Sequence, residues 1–247
     1  CIRDRMGARL RQVGRLLEFR GCSPEQALAW SGLWMDPREL TSRVSSRISP
    51  VVEALLEAFP RLRLSVSRWD RTLVFYAAFL SRNTDYYANV VPWVRRIASG
   101  SWPRSGSYQL RQLRAIRPGL SLEPRGDVWE ERDHLLSVRW VGPKVAHAFL
   151  TFSGRSTSLA PPDVHALRAG SRLGLLPEGC SPPSKSWCLG RRCPDCPRAP
   201  SCPSGVLFRE AGPLASWIQT CLYVLDREVC SRSSCGSCRL RPLCEGL

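Results

Sequence analysis

The sequence of residues 138–147 is Val-Arg-Trp-Val-Gly-Pro-Lys-Val-Ala-His, and that of residues 162–168 is Pro-Asp-Val-His-Ala-Leu-Arg. Gly142 can adopt the backbone angles of a tight turn, and Pro143 suits the first position of a helix, where its missing N–H needs no partner. The first stretch therefore predicts two helices joined by a short hairpin. A glycine turn that leads into a helix directs backbone N–H groups outward, and these bind phosphate without reading base sequence.

Lys144 stands out because the chain otherwise avoids lysine. All but two of its 36 basic residues are arginine, and the second lysine is Lys185. Arginine cannot replace an amine nucleophile, because its guanidinium stays protonated. Lysine forms imines once partial burial lowers its pKa and a nearby base accepts its proton. We therefore predict Lys144 as a nucleophile and Asp163 as its carboxylate partner; the alternative is a lysine that only binds phosphate.

The overall charge indicates a polyanionic partner. The chain has 36 basic and 21 acidic residues and a formal net charge of +15. An arginine-rich composition from a GC-rich or thermophilic source would raise arginine at the expense of lysine without raising the net charge. Nucleic acid is the default partner for such an excess. The longest apolar run, residues 73–80, is too short to cross a bilayer, so we expect no membrane association.

Eight of the 12 cysteines form two clusters with the same spacing, C-x4-C-x2-C-x5-C. The first quartet is Cys188, Cys193, Cys196 and Cys202, and the second quartet is Cys230, Cys235, Cys238 and Cys244. This spacing is typical of metal ligands, and thiolate ligation favours a reducing, intracellular compartment over disulfides. Four cysteines in one compact loop favour a [4Fe–4S] cluster over zinc at the second quartet. At the first quartet a second [4Fe–4S] cluster and zinc both remain open.

The remaining pattern predicts an all-α chain. Apolar residues at helical spacing predict an amphipathic helix over residues 9–19, and proline and capping signals predict helices that begin near residues 24, 37 and 49. The nearly uniform apolar stretch 69–80 predicts a central buried helix. We find no convincing strand alternation.

Taken together, these motifs resemble the helix-hairpin-helix DNA glycosylases of the endonuclease III superfamily. Residues 80–85, Leu-Ser-Arg-Asn-Thr-Asp, resemble the turn after that family's central helix. Residues 138–147 resemble its hairpin signature, and residues 162–168 its Val-Asp-x-His-x-x-Arg segment. Residues 217–230 followed by the second quartet are similar to its closing helix and iron–sulfur loop. The segments Gly-Pro-Lys-Val-Ala and Asp-Val-His are also similar to the 8-oxoguanine branch, which commonly lacks the cluster.

The resemblance implies a helical barrel domain and an iron–sulfur cluster domain with a catalytic cleft between them. The expected domains are residues 1–64, helices that pack on the cluster domain; 65–170, the barrel with its hairpin; and 171–247, the cysteine-rich domain. Lys144 would be the nucleophile and Asp163 the activating carboxylate. The second quartet would hold the family's cluster.

The resemblance also implies how DNA is bound. Arg82 or Asn83 would fill the space left by a flipped base. The other expected DNA-binding residues are Arg139, Trp140, Gly142, His165, Arg239 and Arg241. Three departures stand out: Trp140 takes the place of the hairpin's first glycine, the loop between the first two cysteines of the second quartet is shortened, and the first quartet has no counterpart in the common pattern.

The implied activity is that of a base-excision-repair DNA glycosylase with AP lyase activity. It would remove a damaged, oxidised base through a lysine Schiff base and β-elimination. We expect a monomer that acts on double-stranded DNA with a damaged base or an abasic site, in the cytoplasm of a prokaryote or another intracellular DNA compartment. The alternatives are a monofunctional glycosylase for uracil or 8-oxoguanine, and a non-catalytic iron–sulfur module that binds nucleic acid. The sequence does not predict the lesion.

Overall fold

The chain folds mainly into α-helices, with a small sheet near its amino end. The computed structural model describes the backbone of residues 2–3 and all of residues 8–14 and 16–244. Three antiparallel strands, β1 (Ile2–Arg3), β2 (Arg9–Val13) and β3 (Leu16–Arg20), form one sheet in sequence order.

The helix predicted over residues 9–19 is therefore wrong. The apolar residues in this stretch meet across a hairpin and not along one face of a helix: Leu10 is paired with Phe19, and Val13 with Leu16. Gly14 makes the turn with a φ of 59°, a conformation that costs glycine little. Apolar spacing over so few residues fits both a helix and a hairpin, and here the turn at Gly14 allows the two strands to pair.

Eleven α-helices occur in the described residues. They are α1 (Pro24–Ser31), α2 (Ser49–Ala58), α3 (Arg71–Leu80), α4 (Val91–Ala98), α5 (Tyr108–Ile116), α6 (Val128–Ser137), α7 (Pro143–Phe152), α8 (Val164–Arg172), α9 (Lys185–Cys188), α10 (Pro203–Ala211) and α11 (Ala215–Glu228). A 3₁₀ helix spans Pro37–Arg43, and a π-helical turn, Tyr86–Val90, precedes α4. No helix in this part of the chain has the length and apolar character needed to span a membrane.

Several helices begin where the sequence predicts them. The Ser23 side chain accepts a hydrogen bond from the Gln26 N–H, and the Gln26 side chain accepts one from the Ser23 N–H, which completes a capping box at α1. Asp36 caps the 3₁₀ helix, and the buried helix predicted over 69–80 begins with Asp70 as its cap. Each cap satisfies N–H groups that have no partner inside the helix.

Two hydrophobic cores share the buried residues. The terminal core joins both ends of the chain and includes Leu55 of α2, Ala169 of α8 and Trp217 of α11. The central core is built from the middle of the chain and includes Phe79 of α3 and Phe149 of α7. Helices α7 and α8 follow each other in sequence but contribute to different cores, so the segment between them crosses from one core to the other. The domain boundaries at residues 64 and 170 stay predictions.

Candidate active site and cysteine loops

The hairpin between α6 and α7 has the turn that the sequence predicts, but a different residue takes the strained position. The Val141 N–H donates to the Val138 carbonyl over 3.2 Å and closes the turn. Trp140 has a φ of 61°, whereas Gly142, the N-cap of α7, has an ordinary φ of −107°. A left-handed backbone costs a residue with a side chain about 1–2 kcal/mol. Trp140 thus takes the conformation that a glycine would take more readily.

Arg82 supports this turn through a hydrogen bond to its backbone. Its guanidinium donates to the Trp140 carbonyl over 3.0 Å and to Oε1 of Gln112 over 2.8 Å, and it lies 3.9 Å from the centre of the Phe79 ring. The neighbouring Asn83 is exposed and has a φ of 48°. Of the two residues predicted to enter the base stack, Arg82 is held inside the protein, and Asn83 points its side chain to solvent.

Two more predicted DNA contacts lie on the hairpin. The Arg139 side chain is exposed and stacks 4.3 Å from the centre of the Trp140 ring. Gly142 has no side chain to cap α7, so the N–H groups in the first turn of α7 donate to no capping side chain. The start of α7 can therefore bind an oxyanion through its backbone.

Lys144 lies near enough to Asp163 for its positive charge to act on that carboxyl. Lys144 is the second residue of α7 and is partly exposed, whereas Asp163 is 6% exposed and caps α8. Oδ1 of Asp163 accepts a hydrogen bond from the Ala166 N–H over 2.7 Å, and Oδ2 accepts one from Nε2 of Gln219 over 2.8 Å. Burial raises the pKa of the Asp163 carboxyl; the Ala166 N–H and the charge of Lys144 lower it in part.

His165, another predicted DNA contact, is engaged inside the protein. Its Nδ1 lies 2.8 Å from Oδ2 of Asp226, and its ring packs edge-on against Tyr223 at 4.8 Å. Asp226 is 1% exposed and also lies 3.9 Å from the guanidinium groups of Arg168 and Arg172. His165 therefore orients α8 against α11, with part of its ring still open to solvent.

The sequence interpretation missed a polar stripe on α11. Ser216, Gln219, Tyr223 and Asp226 recur at helical spacing on one face of an otherwise apolar helix. Ser216 lies 2.9 Å from the Thr151 hydroxyl of α7, and the other three contact Asp163 or His165. Polar residues at this spacing in a buried helix were the available signal, because buried polar groups require partners.

The second quartet forms one pocket on the terminal core. Its four cysteines line the pocket together with Arg172 and Arg241, and Leu225 of α11 lies behind them. The remaining predicted contact, Arg239, is exposed, and its guanidinium lies 3.4 Å from the Glu57 carbonyl of α2.

The first quartet forms a separate pocket on the central core. Its four cysteines share this pocket with Arg132 of α6 and His147 of α7. Arg132 is buried and donates to the Cys188 carbonyl over 3.0 Å and to the Arg191 carbonyl. All eight quartet cysteines are free thiols.

Each quartet places four thiol groups around one pocket, and thiolates are ligands of both zinc and iron–sulfur clusters. In the described residues, no group of three or more His, Cys, Asp or Glu side chains is arranged to hold a metal ion. The [4Fe–4S] cluster at the second quartet, and the cluster or zinc at the first, stay predictions.

Comparison with known proteins identifies the fold. No protein-family model and no curated protein matches the sequence. Among solved structures, the chain is similar to MBOgg1 in complex with a low-affinity DNA ligand, with 17% identity and a TM-score of 0.59. It is also similar to the Clostridium acetobutylicum 8-oxoguanine glycosylase/lyase in complex with double-stranded DNA containing cytosine opposite 8-oxoG, with 16% identity and a TM-score of 0.57. Each match covers 89% of this chain and 81% of the other.

The predicted all-α class and the predicted resemblance are therefore confirmed at the level of architecture. The hairpin, the aspartate that caps α8 and the closing helix α11 occur in this chain in the order that the resemblance implies. The chain thus has the all-α fold of the helix-hairpin-helix DNA glycosylases.

Proposed function

We propose that this protein is a base-excision DNA glycosylase that removes an oxidised base and then cleaves the strand through Lys144. The observation that carries the proposal is the buried carboxyl of Asp163, whose pKa the charge of the nearby Lys144 lowers in part. An amine and a carboxylate so placed, beside a helix start that can hold phosphate, are the groups that attack at a sugar carbon requires. The DNA complexes of the two similar structures support a duplex substrate.

DNA binding would use the hairpin as a phosphate clamp. The open N–H groups at the start of α7 bind a backbone phosphate, and Arg139 adds a positive charge beside them. The target base leaves the stack because an enzyme cannot reach the glycosidic bond inside a duplex. Asn83, exposed at its tight turn, would fill the space that the base leaves.

The chemical steps follow from the two side chains. The Asp163 carboxylate stabilises the positive charge that develops on the sugar as the base departs with the electron pair of the C1′–N bond. Nζ of Lys144, as the free amine, forms a bond to C1′. The C1′–O4′ bond then breaks, O4′ takes up a proton from the nitrogen, and a protonated imine results. The imine makes the C2′ proton acidic, and its removal expels the 3′ phosphate by β-elimination. Gln219 orients the Asp163 carboxylate through the hydrogen bond that its Nε2 donates to Oδ2.

We also propose that the second quartet holds a [4Fe–4S] cluster. Its four cysteines line one pocket, and a cubane is bound by four thiolates from one compact loop. The cluster would fix the loop that carries Arg241 against α11. Arg241, exposed at this loop, would then contact a DNA phosphate.

A panel of duplexes, each with one lesion, tests the proposed function. We expect base release and strand cleavage on an oxidised base, and release lost in the Asp163→Asn variant. Base release without cleavage would make the protein a monofunctional glycosylase and overturn the lysine step. No release from 8-oxoguanine, oxidised pyrimidine or uracil duplexes under single-turnover conditions would overturn the enzyme assignment and favour a non-catalytic module.

A further inference from the structure

The two cysteine loops have similar backbone conformations around their third cysteine. Every cysteine of the second quartet follows its counterpart in the first by 42 residues. Cys196 has φ −76° and ψ 121°, and Cys238 has φ −78° and ψ 119°. Two residues on, Arg198 and Leu240 agree equally well, with φ and ψ of −90° and 1° against −91° and 0°.

The hydrogen bonds of the two loops repeat as well. In the first loop Cys196 N–H donates to the Cys193 carbonyl and Cys202 N–H to the Ala199 carbonyl. Cys238 and Cys244 make the equivalent bonds to Cys235 and Arg241 in the second loop. One loop design therefore occurs twice, once on each core, and the two pockets suit the same kind of group.

The first pocket contains a buried imidazole that the second pocket lacks. His147 is 1% exposed and lines the pocket with the first quartet. Its Nδ1 lies 3.2 Å from the Ala160 carbonyl and therefore donates to it. Its Nε2 is buried without any hydrogen-bond partner. A buried polar atom with no partner is rare in a folded protein and suggests a group that the protein is built to receive.

We propose that the first quartet and His147 hold a second [4Fe–4S] cluster, in which Nε2 of His147 ligates one iron in place of one of the four thiolates. This metal site is independent of the proposed glycosylase activity, because none of its five residues belongs to the catalytic pair. Imidazole nitrogen accompanies thiolate ligands in other iron–sulfur centres, where it changes the reduction potential. The second site lacks such a nitrogen among its lining residues.

The first cluster site is fastened to the elements that carry the catalytic lysine. His147 lies on α7, one turn after Lys144. Nζ of Lys185, at the start of the first loop, donates to the Val138 carbonyl of the hairpin over 2.7 Å. Arg132 holds the loop carbonyls to α6. The cluster would thus stiffen both helices of the hairpin.

Metal analysis of the full chain, purified without oxygen, tests the occupant. We expect about eight iron and eight sulfide per chain, and about four of each in either the Cys193→Ser/Cys196→Ser or the Cys235→Ser/Cys238→Ser double variant. Circular dichroism confirms that each variant is folded. Zinc at the first quartet, or an iron content that the Cys193→Ser/Cys196→Ser change leaves at the wild-type value, would overturn the second cluster.

Selective labelling tests the histidine contact, since the chain has only 3 histidines. The Cys235→Ser/Cys238→Ser variant is prepared with ¹⁵N-histidine and reduced, so that only the first site contributes to the electron spin echo spectrum. We expect a histidine nitrogen coupling that the His147→Gln change abolishes and the His134→Gln control retains. Wild-type protein with the same label gives the coupling without a buried substitution. A reduced cluster with no histidine coupling, or one unchanged by His147→Gln, would overturn the contact.

Discussion

At Asp163, burial shifts the pKa of the carboxyl in one direction, and the nearby N–H group and positive charge shift it in the other. Burial raises its pKa, whereas the Ala166 N–H and the charge of Lys144 favour the ionised form. The net shift of the pKa is upward, so the folded protein stabilises the protonated carboxyl better than the carboxylate. Such stored strain is common where a residue serves chemistry more than stability.

The Asp163→Asn change should separate activity from stability. Asparagine keeps an oxygen that can accept from the Ala166 N–H, so the cap of α8 survives, but it cannot stabilise a sugar cation. We expect the rate of base release to fall by about 10²- to 10⁴-fold, and the free energy of unfolding at pH 7 not to fall. Single-turnover assays and urea unfolding measure the two effects.

The pH dependence gives this prediction a second readout. Because the folded pKa of Asp163 lies above its unfolded value of about 3.9, its contribution to stability is full below that value and is lost as the pH rises through the folded pKa. The asparagine variant should lack this loss. An asparagine variant with wild-type excision would contradict the assigned role.

Gln219 should set the protonation of the same carboxyl. Its Nε2 donates to Oδ2 of Asp163, a bond that favours the charged form. In Gln219→Leu we expect the acid limb of the pH–rate profile to move to higher pH. Thr220→Val is the matched control, since that hydroxyl donates only to the Ser216 carbonyl within α11. A profile that is identical in both variants would show that the bond to Asp163 does not tune it.

Among the elements, the hairpin depends on a neighbour for its shape. Its turn places Trp140 in a left-handed conformation. Arg82, which follows the end of α3, donates a hydrogen bond to the Trp140 carbonyl. The adjoining residue, Asn83, makes a sharp turn of its own and is exposed. Of these two neighbouring residues, Arg82 supports the hairpin, and Asn83 is the one that we propose contacts DNA.

The pair Arg82→Leu and Asn83→Gly should show this division. Arg82→Leu removes hydrogen bonds to two backbone carbonyls and to Gln112, so we expect about 3 kcal/mol less stability. Glycine tolerates the φ of 48° at position 83, so Asn83→Gly should change stability by less than about 0.5 kcal/mol while it slows base release. Denaturant unfolding and single-turnover kinetics compare the two. Equal stability losses would contradict the assignment.

Local signals predicted elements better than they predicted partners. The caps at Ser23 and Asp36 and the turn before Pro143 act within a few residues, and the structure has each of them where the sequence places it. The strand pairing of Leu10 with Phe19 depends on which way a short segment turns, which apolar spacing does not determine.

The candidate site shows the same difference. Lys144 and Asp163 could be named from the sequence because each lies at the start of a helix with recognisable neighbours. Gln219 and Asp226 could not, because their partners lie more than fifty residues away in sequence. Only the packing of α8 against α11 brings them together.

At the scale of the whole molecule, a buried charge cluster fastens the central core. Glu131 of α6 is 1% exposed and pairs with Arg71 of α3 and with Arg155 just after α7, the latter over 2.6 Å. Three separate segments therefore meet at one carboxylate. A buried charge that loses its partner is costly.

Glu131→Gln should accordingly destabilise the protein by about 3–5 kcal/mol, because it leaves two arginines without a counter-charge. The exposed neighbour Glu130 provides the control, and Glu130→Gln should cost less than about 0.5 kcal/mol. Urea unfolding monitored by tryptophan fluorescence measures both. Similar losses in the two variants would mean that the cluster contributes little.

Borohydride trapping on abasic-site duplex DNA is the sharpest test of the lysine nucleophile. Reduction converts an imine between the sugar and a lysine into a stable bond, so we expect a covalent protein–DNA adduct from the wild type. The adduct should be absent in Lys144→Ala and present in Lys185→Arg, which keeps a donor for the Val138 carbonyl. No adduct from the wild type, or an adduct that survives Lys144→Ala, would rule out Lys144 as the nucleophile.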